Sequence, residues 1–319
     1  MTRVAVIGGG ANSEHEVSLA TADSVCSALR SLELHGTGGP EFEVVRLDVT
    51  RTGGWQDADG NALDAAQAMG RIAGCDVLFP LVHGPGGEDG TLAALAPLLG
   101  LRLVGSGVGA GAVGMDKWVT KLVARAVGVR VASGSLVRPG DEVPWRGPVV
   151  VKPVAAGSSN GVSLVREPDE LELALKAAFA EDDRVLVEEV LSGREVDVAV
   201  LRRADGSLFV TPALEVHVDG FFDYDAKYSS GDGAARFEVP ALLDGPASAE
   251  LRRQAVAVFE ALGCAGVARV DFFLTADGWV LNEVNTEPGM TASSQVPLMA
   301  AAAGLPYPRL LAELVRAAR

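Results

Sequence analysis

Near the C-terminus the chain reads ARVDF at 268–272 and WVLNEVN at 279–285, joined by TADG at 275–278. Strand side chains alternate between faces, so Arg269 and Asp271 share one face while Val270 and Phe272 share the other. The turn residues suit a hairpin, and the returning segment repeats the pattern, with Glu283 and Asn285 on one side and Val284 on the other. One arginine, two carboxylates and one amide then converge on a single sheet face. Buried without partners they would be strongly unfavourable, so they require a cation, a ligand or each other. Asp271, Glu283 and Asn285 supply oxygen donors with no histidine or cysteine, the set preferred by a hard cation, Mg²⁺ or Mn²⁺, which completes its shell with water and phosphates. An internal arginine–carboxylate network is the alternative reading of the same residues.

The first third of the chain alternates strand and helix signals. An apolar strand at 4–7 leads through Gly8–Gly10 into a helix running to about residue 32, and Ser13, Glu14, His15 and Glu16 read as its capping box. A strand near 43–47, a helix over 63–72, a buried strand at 76–80, a helix at 91–99 and a strand at 102–104 follow. That βαβ alternation predicts a parallel sheet covered by helices. The small-residue stretch at 105–114 marks a boundary. Beyond it a helix at 116–127, strands at 131–136, 149–152, 162–165 and 184–188, and a helix at 169–180 predict an α+β block, then a strand-rich C-terminal block.

With 319 residues, 48% of them hydrophobic and 22% charged, the chain has material for two or three cores and is not disordered. Apolar runs stop at about seven residues, far short of the roughly 20 a membrane helix needs. No signal-peptide pattern opens the chain, which predicts a cytoplasmic protein without a membrane partner. A net charge of −15 argues against nucleic acid as a partner. Cys26, Cys75 and Cys264 are too scattered for a disulfide framework or a thiolate metal site. Only five of the 27 basic residues are lysine (117, 121, 152, 176 and 227), so the lysines mark places where a compact ammonium faces a phosphate.

Three loops read as ligand loops. Lys152 ends an apolar strand, and PVAAGSSNG at 153–161 supplies small residues and hydroxyls suited to a phosphate flap; a solvent-exposed linker is the bland alternative. It lacks the GxxxxGK[ST] spacing of a P-loop. VHGPGGEDG at 82–90 puts His83 directly after a sheet strand, where open α/β folds bind ligands, although a lone histidine is more often structural. GGGANSEHE at 8–16 is not a dinucleotide fingerprint; Glu14 there either compensates the helix dipole or faces a cleft to receive an ammonium.

Taken in order, GGGANSEHEVSL, HGPGGEDGT, GSGVGAGAVGMDK, VKPVAAGSSNG, DYDAKYSS, GVARVDFF and NEVNTEPGMT make the whole chain resemble the D-alanine-D-alanine ligases of the ATP-grasp superfamily. The resemblance implies an α/β ATP-grasp fold of three domains. These are an N-terminal parallel α/β substrate domain at 1–105, a central α+β lid at 106–187, and a C-terminal α+β domain at 188–319 with an antiparallel sheet holding metal and nucleotide. It implies ATP as co-substrate, two Mg²⁺ or Mn²⁺ ions on Asp271, Glu283 and Asn285, and a homodimer. Lys117 and Lys152 would meet the α- and β-phosphates. Glu188, Glu195 and the Glu189–Leu191 backbone would hold adenine and ribose. Glu14, assisted by Val17, Ser18 and His83, would take the ammonium of the first D-alanine. Ser158 and Tyr228 would link flap and mobile loop to Glu14, with Lys227 on the γ-phosphate. Arg269 and the Gly289 N–H would form the oxyanion site, and Ser294 with Gln295 would receive the second D-alanine.

The implied reaction is ATP-dependent formation of D-alanyl-D-alanine through a D-alanyl phosphate, for peptidoglycan precursor synthesis. Two positions depart from the common pattern: Ala156 precedes Gly157 where an acidic residue often stands, and Gln295 replaces leucine. A second substrate such as D-serine is the alternative these departures leave open. Tyr228 favours a dipeptide ligase over D-lactate variants, and an intact donor set speaks against a non-catalytic nucleotide sensor.

Overall fold

A computed structural model describes residues 1–33, 39–217 and 236–319. It contains three sheets. In the first, β1 (Thr2–Gly9) pairs in parallel with β2 (Phe42–Val49) on one side and β5 (Val77–Pro80) on the other, and β6 (Arg102–Leu103) continues in parallel. β3 (Trp55–Asp57) and β4 (Ala62–Leu63) add an antiparallel edge. Successive strands depart from β1 in opposite directions, so a crevice opens past the C-terminal ends of β1 and β5. Residues 10–14 and 82–90 leave the sheet there.

Helix α1 (His15–Arg30) begins at that crevice, but without the expected capping box. Glu14 occupies the N-cap with no side-chain cap bond. Instead Asn12 Oδ1 accepts the Glu14 N–H at 2.8 Å, and the Ser13 hydroxyl accepts from Asn160 of the flap at 3.1 Å. An Asx turn thus replaces the cap and frees the Glu14 carboxylate. Helix α2 (Ala65–Ala73) does carry a capping box, between Asp64 and Gln67, and α3 (Leu95–Leu99) follows a 3₁₀ turn.

The small-residue stretch after residue 105 contains a helix, α4 (Val108–Met115), which is followed directly by α5 (Lys117–Ala126) with Asp116 as side-chain N-cap. The second sheet orders β7 (Gly134–Val137), β10 (Val185–Glu189), β8 (Val149–Pro153) and β9 (Ser163–Val165), all antiparallel, with α6 (Leu171–Phe179) packed on it.

The third sheet places β11 (Arg194–Arg202) between β13 (Leu214–His217) and β15 (Val267–Thr275), with β14 (Arg236–Glu238) and β16 (Gly278–Asn285) at its edges and β12 (Leu208–Val210) also on β11. Its two faces are buried differently. Val196, Val198, Val200, Val270, Phe272 and Val284 pack with α7 (Gly245–Ala261) and with Ala110 and Ala124 of α4 and α5. Ala199 and Leu201 point the other way, into a core shared with the first sheet and with α8 (Gln295–Ala302) and α9 (Tyr307–Ala317). The period-two alternation expected for the hairpin is therefore present, with one interruption. The register shifts between Asp271 and Phe272, so Asn282 is an extra residue between Leu281 and Glu283.

Phe272 is fully buried and meets Trp279 edge-on, ring centroids 6.1 Å apart. Phe272→Ala is expected to destabilise the protein by about 3–5 kcal/mol, whereas Leu98→Ala, at a site 78% exposed, shifts stability by about 0.5 kcal/mol or less. Urea denaturation followed by tryptophan fluorescence reads both.

Candidate active site

The cleft-facing side of the third sheet is set by register. Asp197 of β11 lies opposite Asp271 of β15, which lies opposite Glu283 of β16, while Arg269 pairs with Asn285. With Val270 and Phe272 committed to the core beneath α7, these five polar side chains emerge on the opposite face, where Arg269, Asp271, Glu283 and Asn285 were expected together. All five line one cleft of about 1260 Å³.

Arg269 grips Asp271 with two parallel bonds, Nε to Oδ1 at 2.7 Å and a terminal nitrogen to Oδ2 at 2.8 Å. Burial works against the guanidinium charge, but Asp271 and Asp197 outweigh it and keep Arg269 fully protonated. Asn285 Nδ2 donates to Asp271 Oδ2 at 2.9 Å, which orients its carbonyl oxygen away from that carboxylate. Glu283 faces Lys117 at 3.4 Å. The arginine–carboxylate pair therefore exists, and Asp271, Glu283 and Asn285 line the same cleft around it. Hard donors compensated by nearby cations suit Mg²⁺ or Mn²⁺ bound with a polyphosphate.

The second sheet brings the nucleotide candidates. Glu188, 4% exposed at the end of β10, receives Lys152 at 2.7 Å on one carboxylate oxygen and Lys121 at 2.8 Å on the other. Burial pushes its pKa up, yet Lys152 and Lys121 together hold it below the ordinary carboxylate range. Burial, with Lys152 alongside, brings Lys121 down to about 8. Lys152 also donates to Asn282 Oδ1 at 3.3 Å, a contact that the bulge in β16 makes available. Lys117, first residue of α5, donates to the Ala156 carbonyl at 2.7 Å. Glu189, Leu191 and Glu195 line the same cleft. Glu189 is tied to Ser133 through its main-chain N–H at 2.9 Å and its carboxylate at 2.7 Å.

At the first sheet's crevice, Glu14 is 8% exposed and its carboxylate accepts from the Ser158 hydroxyl. The flap crosses the cleft to reach it, and Ser158 and Ser159 take φ of 51° and 58°, a strained left-handed conformation for serine. Gly157 lets the two approach closely: a Cβ there would lie 2.3 Å from Glu14 Oε2, so the carboxylate or the flap would have to shift. The flap is therefore a docked element rather than a linker. His83 engages both ring nitrogens: Nδ1 donates to the Glu287 carbonyl at 3.0 Å and Nε2 accepts from Thr21 at 3.2 Å. Burial holds its pKa down, consistent with that neutral tautomer. Ser18 is fully buried behind Glu14, accepting the His83 N–H and donating to the Glu14 carbonyl, each at 3.0 Å. Val17 and His83 line the cleft; Ser18 is not among its lining residues.

Gly289, Ser294 and Gln295 close the far end. Ser294 Oγ accepts the Thr291 N–H at 3.0 Å, and Gln295 donates to Asp197 at 2.8 Å. Lys227 and Tyr228 lie outside the described residues. Three cleft or near-cleft groups were missed. Asp197 sits in a strand that reads as core, Lys121 is one helical turn from Lys117 and was flagged only by lysine scarcity, and Glu88 belongs to the quoted HGPGGEDGT loop. Burial, aided by Glu14, raises Glu88 to about 7. Glu215, His217 and Glu238 also bring ligand atoms within 4.8 Å at the cleft rim, but Arg194 already holds Glu215.

Two outcomes follow from this geometry. Gly157→Ala pushes the flap off Glu14 and forfeits a charge-assisted bond of about 1.5–3 kcal/mol, so amide exchange across 155–161 should accelerate at least about tenfold with the melting temperature little changed. Glu188→Gln leaves two buried ammonium groups short of an anion and is expected to cost about 3–5 kcal/mol near neutrality. Because the folded pKa of Glu188 is depressed, its contribution is complete above the unfolded value of 4.5 and fades as pH falls below it. Denaturation midpoints of wild type and variant should converge in acid.

Known families and structures match the chain along its length. The family described as D-ala D-ala ligase N-terminus matches residues 3–106, and D-ala D-ala ligase C-terminus matches 143–316. A D-alanine–D-alanine ligase from Mycolicibacterium smegmatis is 42% identical over 363 aligned positions, covering 98% of this chain and 94% of the relative. Among solved structures, the VanG D-Ala:D-Ser ligase from Enterococcus faecalis superposes with a TM-score of 0.85 at 32% identity, covering 99% of both chains. A D-alanine–D-alanine ligase from Bacillus anthracis gives 0.82 at 27% identity over 99% of this chain and 97% of that one. With both family halves matched in order on an ATP-grasp fold, the chain belongs to the D-alanine–D-alanine ligase family.

Proposed function

We propose that the protein joins two D-alanines into D-alanyl-D-alanine at the expense of ATP, supplying the dipeptide for cell-wall synthesis. The observation that carries this is a single cleft of about 1260 Å³ to which all three sheets contribute: Glu14 from the first, Lys152 and Glu188 from the second, and Arg269, Asp271, Glu283 and Asn285 from the third. An amine anchor, phosphate-binding lysines and an oxygen donor set within one enclosure are what an acyl-phosphate route requires.

A carboxylate resists attack by an amine, so the first D-alanine must be activated. Its ammonium is read as pairing with Glu14, which orders the carboxylate toward the γ-phosphate. Lys117 and Lys152 exchange their partners in the cleft for phosphate oxygens, with Lys227 on the γ-phosphate, and spread the charge that develops during transfer. Glu188 takes only two of its four lone-pair sites to the lysines, leaving room for the adenine amino group. Glu195 and the 189–191 main chain complete the nucleotide slot. Asp271, Glu283 and Asn285 would hold Mg²⁺ or Mn²⁺, which when bound neutralises the phosphates. The second amine then attacks the acyl carbon: a C–N bond forms, the C–O bond to phosphate breaks, and one proton is released. Arg269 and the Gly289 N–H hold the oxyanion of the tetrahedral intermediate, while Ser294 and Gln295 receive the incoming carboxylate. The Ser158–Glu14 bond holds the flap over the cleft and keeps water from the acyl phosphate, a task in which the resemblance gives Tyr228 a share.

Among the described residues no helix is long and apolar enough to cross a membrane, and the reading places the enzyme in the cytoplasm with ATP. A homodimer belongs to the reading on the resemblance alone.

The deciding experiment measures ADP release and product mass with Mg-ATP and D-alanine, beside L-alanine and a control without amino acid. D-Alanine alone should yield the dipeptide mass, L-alanine nothing. Glu283→Gln is expected to lower turnover about 100- to 1000-fold while remaining folded. Absence of dipeptide with D-alanine sinks the reading, and normal turnover by the folded variant removes Glu283 from the site.

A further inference from the structure

Asp197 is 1% exposed on the cleft face of β11, opposite Asp271. The two carboxylates share Arg269 unequally. Asp271 takes both short guanidinium bonds, and Asp197 is left at 3.8 Å from Nε. Among the described residues its Oδ1 has no hydrogen-bond partner. Its one strong directional tie is from Oδ2 to Gln295 Nε2, at 2.8 Å. A buried carboxyl group that holds only a distant share of Arg269 and one close bond, to a neutral amide, gains little stability from its position. It is well placed to fix that partner.

Gln295 opens α8, beside Ser294 at the N-cap, and lines the cleft. A glutamine side chain has several rotatable bonds and loses much freedom when it binds anything. The bond to Asp197 removes that freedom beforehand, and in this arrangement the NH₂ is the end engaged, which leaves the carbonyl Oε1.

We infer that Asp197 is a positioning residue that locks the Gln295 amide with Oε1 turned to the amino acid bound second, so that the site accepts a D-amino acid carrying a side-chain hydrogen-bond donor, D-serine being the smallest, in competition with D-alanine. This rests on the reading of Ser294 and Gln295 as the acceptor end of the cleft. A fixed acceptor oxygen is satisfied by a hydroxyl and left unpaired by a methyl, which is how a polar pocket discriminates.

The test is a competition assay on the purified full-length chain with Mg-ATP, D-alanine and D-serine, reading the masses of the two dipeptides and the KM for each substrate. Asp197→Leu is expected to raise the acceptor KM for D-serine about tenfold and to shift the product ratio toward D-alanyl-D-alanine by a similar factor, with the KM for ATP unchanged. Asp197→Asn keeps an oxygen acceptor for the amide and should restore the ratio. In a Gln295→Leu background, Asp197→Leu should no longer move the ratio. The inference is overturned if Asp197→Leu alters the KM for ATP and for acceptor alike, if the ratio stays within twofold of wild type, or if the two substitutions act independently. Should Asp197→Leu fail to fold by thermal melting, Gln295→Leu alone must shift the ratio toward D-alanyl-D-alanine, and an unchanged ratio overturns the inference. Wild type that forms no dipeptide at all refutes the ligase reading itself, a different result from dipeptides whose ratio ignores Asp197.

Discussion

The buried pair of Arg269 and Asp271 is the constraint on which the cleft depends. Two residues apart on one strand, they leave the sheet on the same side, and each makes the other tolerable away from water. Their bidentate geometry works only if β15 holds its register with both neighbours, because Asp197 arrives from β11 and Glu283 and Asn285 from β16. The register is enforced from behind. A slip of one residue would turn Val270 and Phe272 out of the core beneath α7 and bring charges into it. Hydrophobic burial on one face thus sets the chemistry available on the other.

That coupling explains which parts were legible in the sequence. The hairpin at 267–285 was readable because polar and apolar residues alternate over 269–272 and 283–285 and a turn sits between the two strands. The first sheet was readable from its βαβ rhythm. Asp197 was not, since REVDVAVLR sets it among valines that read as core, and the pairing with β15 shows that its side of the strand opens on a cleft. Nor was the bulge, which depends on how two strands accommodate each other's twist, and which alone lets Asn282 face Lys152. The expected capping box failed for a related reason. Ser13 had a competing partner, Asn160, 147 residues away, and local motif logic cannot weigh a contact that distant.

Charge is distributed with the same economy. Of the lysines in the described residues, Lys117, Lys121 and Lys152 gather around Glu188 and Glu283, while arginine covers the general surface. Glu188 is the hinge of this group: a single buried carboxylate offsets two ammonium groups that would otherwise repel each other. An ammonium is a compact charge on a flexible stem, able to leave one anion for another, whereas Arg269 is tied by a rigid fork and does not move. The lysines are suited to exchange partners during a cycle and the arginine to stay in place.

The flap shows how such exchange is made conditional. Ser158 reaches Glu14 with two consecutive serines in a left-handed conformation, and Gly157 and Gly84 leave the carboxylate room. Strain on that scale persists when a specific bond opposes it. The Glu14 carboxylate, carried on a main chain that Asn12 and Ser18 hold at its N–H and carbonyl, supplies that bond. A cation at Glu14 would share this carboxylate with the Ser158 hydroxyl, so the first sheet's crevice and a loop of the second sheet meet at one anionic group. The contact that docks the flap thus lies at the same carboxylate that faces the crevice, and it draws on a hydroxyl and a glycine rather than on the packing of any core.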